Sequence, residues 1–231
     1  MNIVVNGGTK GIGKEIVKIF SAESTNKILV TGRSKRILNQ LSTGAKHGNI
    51  RALVLDLEEL DKYQNQLSIE VSKYLKNIDI LINNAGTLVT NDFQNFDFKE
   101  ARKMMETNFW GPASMIKLLK PLMKKGSHIV NISSMGGYQG SSKFRGMSFY
   151  SASKAALSCL SECLAVEFRK EGIIANCLAL GSVQTEMFRK AFPGYKAPLN
   201  AAEMAGFIVE FAINGRKFFN GKVLPVALNT P

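Results

Sequence analysis

Residues 2–31 read NIVVNGGTKGIGKEIVKIFSAESTNKILVT, and this stretch decides the fold. Asn2–Asn6 is a short apolar run and reads as a strand. Glycines follow it. Through Gly11–Ala22 the residues Ile12, Ile16, Ile19 and Phe20 recur near helical spacing. Lys27–Thr31 is a second short β-rich run. Strand, glycine turn, helix and strand make one βαβ unit.

The alternation continues outward from this unit. Arg51–Asp56, Asp79–Asn83, His128–Ser133, Ile173–Leu178 and Lys222–Val226 read as further strands. Glu59–Lys76, Phe98–Lys124, Phe149–Arg169 and Asn200–Ile213 read as helices, the second of them strained near Gly111-Pro112. Strands apolar on both faces, alternating with helices, imply a sheet covered on both sides. With right-handed crossovers the expected fold is α/β: a doubly wound Rossmann-type domain with a mostly parallel seven-stranded sheet. No linker, repeat or low-complexity segment interrupts residues 1–231, so one domain is expected.

The glycine turn carries chemistry as well as topology. Gly7, Gly11 and Gly13 let the backbone approach a pyrophosphate and let the helix pack on the strand, while N–H groups at the helix start face the phosphates. A site that selects a free ribose 2′-hydroxyl places a carboxylate at the end of the second strand. Here that strand ends in Gly32, Arg33 and Ser34, with no acid, and Lys10 lies inside the turn. Two cations flanking one spot suit a 2′-phosphate, so NADP(H) is expected over NAD(H).

The totals limit the remaining classes. A net charge of +12 raises the prospect of an anionic partner, whether nucleic acid, a membrane surface or a phosphorylated ligand. The cations are scattered along the chain, with small groups at Lys120, Lys124 and Lys125 and at Arg169 and Lys170. No arginine-rich run with interleaved aromatics appears, so neither a nucleic-acid nor a membrane partner is expected. Three cysteines without a CxxC pair fit a reducing compartment, and no metal site is expected. Cys159 and Cys163, four apart, are expected in a core. The start MNIVVNGG has no positive n-region, and no apolar stretch reaches about 18 residues, so a cytoplasmic protein is expected.

NGGTKGIG, NNAG at Asn83–Gly86, the serine ending the strand near 134 and YSASK at 150–154 together resemble the short-chain dehydrogenase/reductase family, in its order and over nearly the whole chain. The resemblance implies an oxidoreductase that moves a hydride between a nicotinamide cofactor and a carbonyl or alcohol substrate. It implies Tyr150 and Lys154 as the catalytic pair, Ser134 as the residue that orients the carbonyl, and Asn108 as holder of a water in a proton relay. On the cofactor side it points to Gly7, Thr9, Lys10, Gly11, Ile12, Gly13, Arg33 and Ser34. Asp56 and Leu57 would lie at the adenine, Asn84, Ala85 and Gly86 along the cofactor, and Gly181, Val183 and Thr185 at the nicotinamide. Lys154 would also bind the nicotinamide ribose. Four departures stand out: Asn6 where threonine is usual, Leu180 where proline is usual, a longer segment between Ser134 and Tyr150, and no glycine pair in VLPVALNTP.

Physical chemistry supports the pair. Residues four apart share one helix face. A free tyrosine titrates near pH 10, and a fixed positive charge lowers that value. The expected substrate walls are Tyr138, Phe144 and Met147 with Met187, Phe188, Phe192 and Tyr195, which suit a hydrophobic carbonyl. If Lys120, Lys124 and Lys125 lie near the entrance, they suit an acyl-carrier-protein substrate. The long helices carry Met115, Leu118, Leu119, Leu157, Leu160 and Leu164, and with the resemblance this implies a homotetramer or homodimer. The alternative function is a non-catalytic NADP(H)-binding sensor or interaction protein of the same fold.

Overall fold

The computed structural model describes residues 1–228. Its strands are β1 (Asn2–Asn6), β2 (Lys27–Gly32), β3 (Ile50–Val54), β4 (Ile78–Asn83), β5 (Met123–Ser134), β6 (Ile174–Leu180), the two-residue β7 (Val183–Gln184) and β8 (Leu199–Asn200), and β9 (Val223–Val226). Seven of them form one parallel sheet in the order β3-β2-β1-β4-β5-β6-β9, and β7 pairs with β8 apart from it. The chain starts in the middle of this sheet, winds to one edge, and returns past β1 to build the other. The order therefore reverses between β1 and β4, and ligands of such sheets bind outside the carboxyl ends of the strands at this point.

Successive residues of each strand serve opposite faces. Val4, Leu29, Leu81 and Ile129 pack with Leu67 and Val71 of α3 (Gln64–Tyr74) and with Met115 and Leu119. Val5, Val30, Ile82 and Val130 pack on the other face against Ile16 and Phe20 and against Met204 and Ile208. These last four come from α1 (Gly11–Ser21) and α8 (Ala201–Asn214). Burial on both faces is why the strands read as unbroken apolar runs, and each such side chain contributes about 1.5–3 kcal/mol.

One polar row crosses this core. Asn6 stands in register with Thr31 on one side and Asn83 on the other, and Asn83 with Asn131. Thr31 Oγ1 donates to Asn6 Oδ1 at 3.0 Å, Asn83 Nδ2 to Asn131 Oδ1 at 2.9 Å, and Asn131 Nδ2 to Ser161 Oγ at 2.9 Å. Asn6 thus holds β1 to β2 just before the glycine turn, a role a threonine would fill with a shorter reach.

The expected long helix at 98–124 is broken. It comprises α4 (Phe98–Met105), a π turn (Glu106–Trp110), α5 (Gly111–Leu119) and one 3₁₀ turn, and β5 has begun by Met123. The cause is Pro112, which has no N–H to offer the Asn108 carbonyl four residues back. The Gly111 N–H bonds to the Glu106 carbonyl instead, the five-residue spacing of a π bulge. Other differences are smaller. A helix not expected from the sequence, α2 (Lys35–Thr43), lies between β2 and β3 and buries only Leu38. The start of the expected helix at 59–76 is 3₁₀ over Leu57–Tyr63.

One expectation about packing is overturned. Cys159 and Cys163 are exposed on the outer side of α6 (Ser148–Glu167), not in the core. Of the apolar residues expected to serve assembly, Met115, Leu119, Leu157 and Leu164 are buried within this chain, while Leu118 and Leu160 are half-buried. No helix among the described residues is long and apolar enough to cross a membrane.

Candidate active site

The turn after β1 opens with Gly7 at φ +82° and enters α1 through Gly11 at φ +50°, conformations that favour glycine. The Gly7 and Gly8 N–H groups both donate to the Thr31 carbonyl, at 3.0 and 3.1 Å. A Cβ on Gly13 would stand 2.2 Å from the Gly7 carbonyl oxygen, so the helix can lie this close to the turn only with glycine there. α1 starts with no acidic residue in its first turn and no side-chain cap from Lys10. No carboxylate of its own first turn opposes its N–H groups and positive dipole end, and this donor set fits the diphosphate of a dinucleotide.

The segment after β4 braces this turn from the other side of the switch point. Asn84 Nδ2 donates to the Gly7 carbonyl at 2.9 Å, and the Ala85 N–H to the Asn6 carbonyl at 3.0 Å. Thr9 packs its methyl group where Gly32 leaves room, and Ile12 is half-buried beside it. Leu57 and Val183 are buried, so only their backbones can face a ligand. The Gly181 N–H donates to the Val226 carbonyl at 2.9 Å, and Leu180, at the position where proline is usual, lies in the core. Thr185 lies against Gly11, and its Oγ1 accepts from the Phe188 N–H at 3.1 Å, capping α7 (Glu186–Ala191).

The two cations expected to flank a 2′-phosphate are held separately. Arg33 stands 4.0 Å from Asp56, while Lys10 pairs with Glu186 at 3.0 Å across the mouth of the turn. Glu186 also pairs with Lys190 at 3.0 Å, and the two ammonium groups hold its carboxyl down to about 2. Ser34 caps α2 through its Oγ. Asp56 Oδ1 accepts from the Glu58 N–H at 3.2 Å.

Ser134, Tyr150, Lys154 and Asn108 lie near one another beyond the carboxyl ends of β4 and β5. Ser134 ends β5, and Tyr150 and Lys154 lie on the buried side of α6. Burial pushes the Tyr150 phenol above its ordinary range, and a hydrogen bond with Ser134 pulls it partway back. Lys154 is not what lowers the phenol here. Its Nζ donates to the Ile132 carbonyl at 2.8 Å, and burial brings its own value down to about 8. A Cβ on Gly86 would stand 3.2 Å from Lys154 Nζ and 3.3 Å from Asn108 Oδ1, so all three border one space.

Asn108 sits on the π turn. Its Oδ1 accepts from the Thr87 N–H at 2.8 Å, and its Nδ2 donates to the Thr87 carbonyl and to Ser153 Oγ, each at 2.9 Å. Both amide hydrogens are used, so only an oxygen lone pair remains for a water. The sequence reading missed Thr87 and Ser153. Ser153 was legible as a hydroxyl one residue before Lys154, but its partner was not.

The substrate side is built differently. The segment between Ser134 and Tyr150 folds against residues 91–98. The Asn91 N–H donates to the Gly146 carbonyl at 3.1 Å. Arg145 grips Asp92 through two bonds of 2.7 Å, and Phe93 stacks on Phe149 at 5.6 Å between ring centroids. An open cleft of about 740 Å³ lies between these segments, lined by Phe93, Phe144, Met147 and Ser151 among others. Phe144 meets Phe192 at 6.3 Å, and Phe192 meets Phe188 at 5.2 Å, so the two expected apolar walls touch. Tyr195 stays mostly in solvent. Lys120, Lys124 and Lys125 are not at this entrance. They lie at the start of β5, the opposite end of the sheet from Ser134.

Known proteins match this architecture. A family model described as short chain dehydrogenase matches residues 1–196. Dehydrogenase/reductase SDR family member 7B of Mus musculus is 33% identical over 193 residues, which are 80% of this chain and 58% of that protein. Fatty acyl-CoA reductase of Acinetobacter baylyi is 29% identical over 216 residues, 91% of this chain and 72% of that protein. A short chain dehydrogenase from Burkholderia cenocepacia, solved in complex with NADP, superposes with a TM-score of 0.86 at 22% identity, covering 97% of this chain and 95% of that one.

Proposed function

The chain belongs to the short-chain dehydrogenase family, and from that premise we propose that it is an NADP(H)-dependent reductase of a hydrophobic carbonyl compound. The observation that carries the reading is the closeness of Ser134 to Tyr150, and of Lys154 and Asn108 to Gly86, at the end of the sheet that carries the glycine turn. Gly7, Gly11, Gly13 and the start of α1 would hold the diphosphate, Arg33 and Lys10 a 2′-phosphate, and Lys154 and Thr185 the nicotinamide end. The bound nicotinamide supplies the hydride.

The chain's own groups handle the oxygen. Ser134 donates a hydrogen bond to the carbonyl oxygen and fixes its direction. Tyr150, kept protonated at neutral pH by burial, hands its proton to the oxygen as negative charge develops there. Lys154 stays charged at neutral pH, and in this reading it holds the nicotinamide ribose and passes a proton back toward Tyr150. Asn108 holds the π turn against Thr87 and keeps one lone pair beside Lys154 for a water that returns a proton. The aromatic walls at Phe93, Phe144 and Phe192 support an apolar substrate, as does the name of the Acinetobacter relative.

The test begins with cofactor alone. Titration with NADPH and with NADH, followed by nicotinamide fluorescence, is expected to show tight NADPH and weaker NADH binding. Ketones, aldehydes, quinones and acyl thioesters are then assayed with wild type and Tyr150→Phe. Binding without any turnover by wild type would favour the non-catalytic sensor. Binding of neither cofactor would remove the reading altogether.

A further inference from the structure

Lysines that are scattered in the sequence are gathered by the fold. The Gly126 N–H donates to the Gly172 carbonyl at 2.8 Å, and Arg216 donates to the Gly126 carbonyl at 2.5 Å. The Gly221 N–H donates to the Ala175 carbonyl at 2.8 Å, and Asn220 Oδ1 accepts from the Ala175 N–H at 3.2 Å. These bonds tie three turns into one surface at the amino ends of β5, β6 and β9. The turns present Lys124, Lys125, Arg169, Lys170, Lys217 and Lys222, all exposed. Two of the carboxylates nearby are paired, Glu171 with Lys120 at 2.6 Å and Asp79 with Lys124 at 3.6 Å, and Glu162 beside Gly221 is outnumbered by the remaining cations.

An aromatic tip stands among these cations. Phe218 is 77% exposed and Phe219 37%, in the run RKFFNGK at 216–222. The backbone holds the tip outward. The Phe218 and Phe219 N–H groups both donate to the Gly215 carbonyl, and the Phe219 carbonyl accepts from Asn176 Nδ2 at 2.9 Å. No catalytic role reaches this place. It lies about 20 Å from the site, the length of β6 at ~3.3 Å per residue.

We propose that this surface docks the protein on an anionic lipid bilayer, with Phe218 entering the headgroup region and the surrounding cations meeting the negative surface potential. Five of the six exposed cations are lysines, point charges suited to a diffuse field and lacking the planar fork that reads phosphate or base edges. A ring wedged between cations suits the boundary between water and acyl chains. A second copy of the chain fits badly, because a two-fold contact would press the same cations together. Docked this way, the opposite end of the sheet, with the cleft at Tyr150, faces water.

The test is cosedimentation of the full chain with vesicles of phosphatidylcholine alone and of phosphatidylcholine with phosphatidylserine, at low and high salt. Binding is expected only to the anionic vesicles, weakening as salt rises. Lys217→Glu with Lys222→Glu is expected to lower affinity about tenfold or more. Phe218→Ala, which leaves every charge in place, is expected to lower it about threefold to tenfold. Retained NADPH titration shows that each variant is folded. The proposal is overturned if anionic vesicles do not bind, or if Phe218→Ala binds them as wild type does. It is also overturned if a duplex oligonucleotide binds where vesicles do not, or if Phe218→Ala dissociates an oligomer.

Discussion

The two walls of the cleft are held by different forces. The cofactor wall is held by geometry that tolerates no addition: Gly13 against the Gly7 carbonyl, Gly7 against Ala85, Asn84 bonded to the Gly7 carbonyl. The substrate wall is held by exposed ion pairs and stacked rings, Arg145 with Asp92 and Phe93 with Phe149. Close backbone contact fixes positions to a fraction of an ångström and fails abruptly. Surface pairs and aromatic stacks yield gradually and re-form around new shapes. The first wall suits a ligand of one fixed shape, and the second a ligand whose shape can vary.

The largest test strikes the group both walls share. Tyr150→Phe removes the proposed proton donor and leaves the ring's packing against Phe96 and Met104 in place. Turnover is expected to fall about 10²–10⁴-fold while NADPH affinity stays within about twofold. Equal loss of both in a fluorescence titration and a single-turnover assay would mean that Tyr150 holds the cofactor and is not the acid.

Gly13→Ala attacks the rigid wall alone. Its Cβ cannot fit 2.2 Å from the Gly7 oxygen and 2.4 Å from Asn84 Nδ2, so the turn must open or α1 must shift. NADPH affinity is expected to drop about 100-fold, with about 1–3 kcal/mol lost from stability as read by urea unfolding. An unchanged dissociation constant would show that the turn is not the diphosphate site.

What was legible follows the same division. Gly7, Gly11 and Gly13 could be read because close approach leaves a residue-type signature, and the strands because burial on both faces forbids polar residues. The π turn was half legible: Pro112 announced strain, but only packing shows that the helix absorbs it at Asn108. α2 was missed because nine mostly polar residues bury one leucine, although Ser34 marks its start. The Lys10–Glu186 pair joins residues 176 positions apart, and nothing local in either announces the other. Asp92 and Arg145 are 53 apart and equally silent. The basic surface at 124, 170 and 217 is likewise a product of topology. The cysteines misled because four-residue spacing says that two residues share a face without saying which face is buried.

Lys154 links the walls through pH. Burial sets its value at about 8, below the ordinary 10.5. A lysine so depressed is charged in both folded and unfolded chains below about 8. Between about 8 and 10.5 the unfolded chain holds the extra proton, so neutral Lys154 favours folding and this contribution to stability rises with pH. Activity should run the other way. Reduction is expected to decline about tenfold per pH unit above about 8 as Lys154 loses the proton it would pass toward Tyr150. Lys154→Met is expected to lose that limb of the profile as well as most turnover. A limb that survives the substitution belongs to another group.

Asp92→Asn loosens the substrate wall without touching the cofactor wall. Arg145 loses the charge that holds it, and burial cannot compensate because both groups are exposed. KM is expected to change about twofold to fivefold with kcat and NADPH affinity near wild type. A kcat effect larger than the KM effect would place the 91–98 segment in the chemistry and would erase the contrast between the walls.

The smallest effect asks whether the walls are independent at all. Lys10 belongs to the glycine turn and Glu186 to the segment that closes the substrate side, so their 3.0 Å pair is a bridge between the two. Acid cannot break it near neutrality, because Lys190 and Lys10 keep the Glu186 carboxyl ionised down to about 2. Substitution can. Glu186→Gln frees the Lys10 ammonium, and NADPH is expected to bind about twofold to fivefold tighter with NADH unchanged, since only NADPH carries the 2′-phosphate that Lys10 would meet. If both cofactors instead bind more weakly and by the same factor, Glu186 acts by holding α7 over the turn, and selectivity for the 2′-phosphate rests on Arg33 without Lys10.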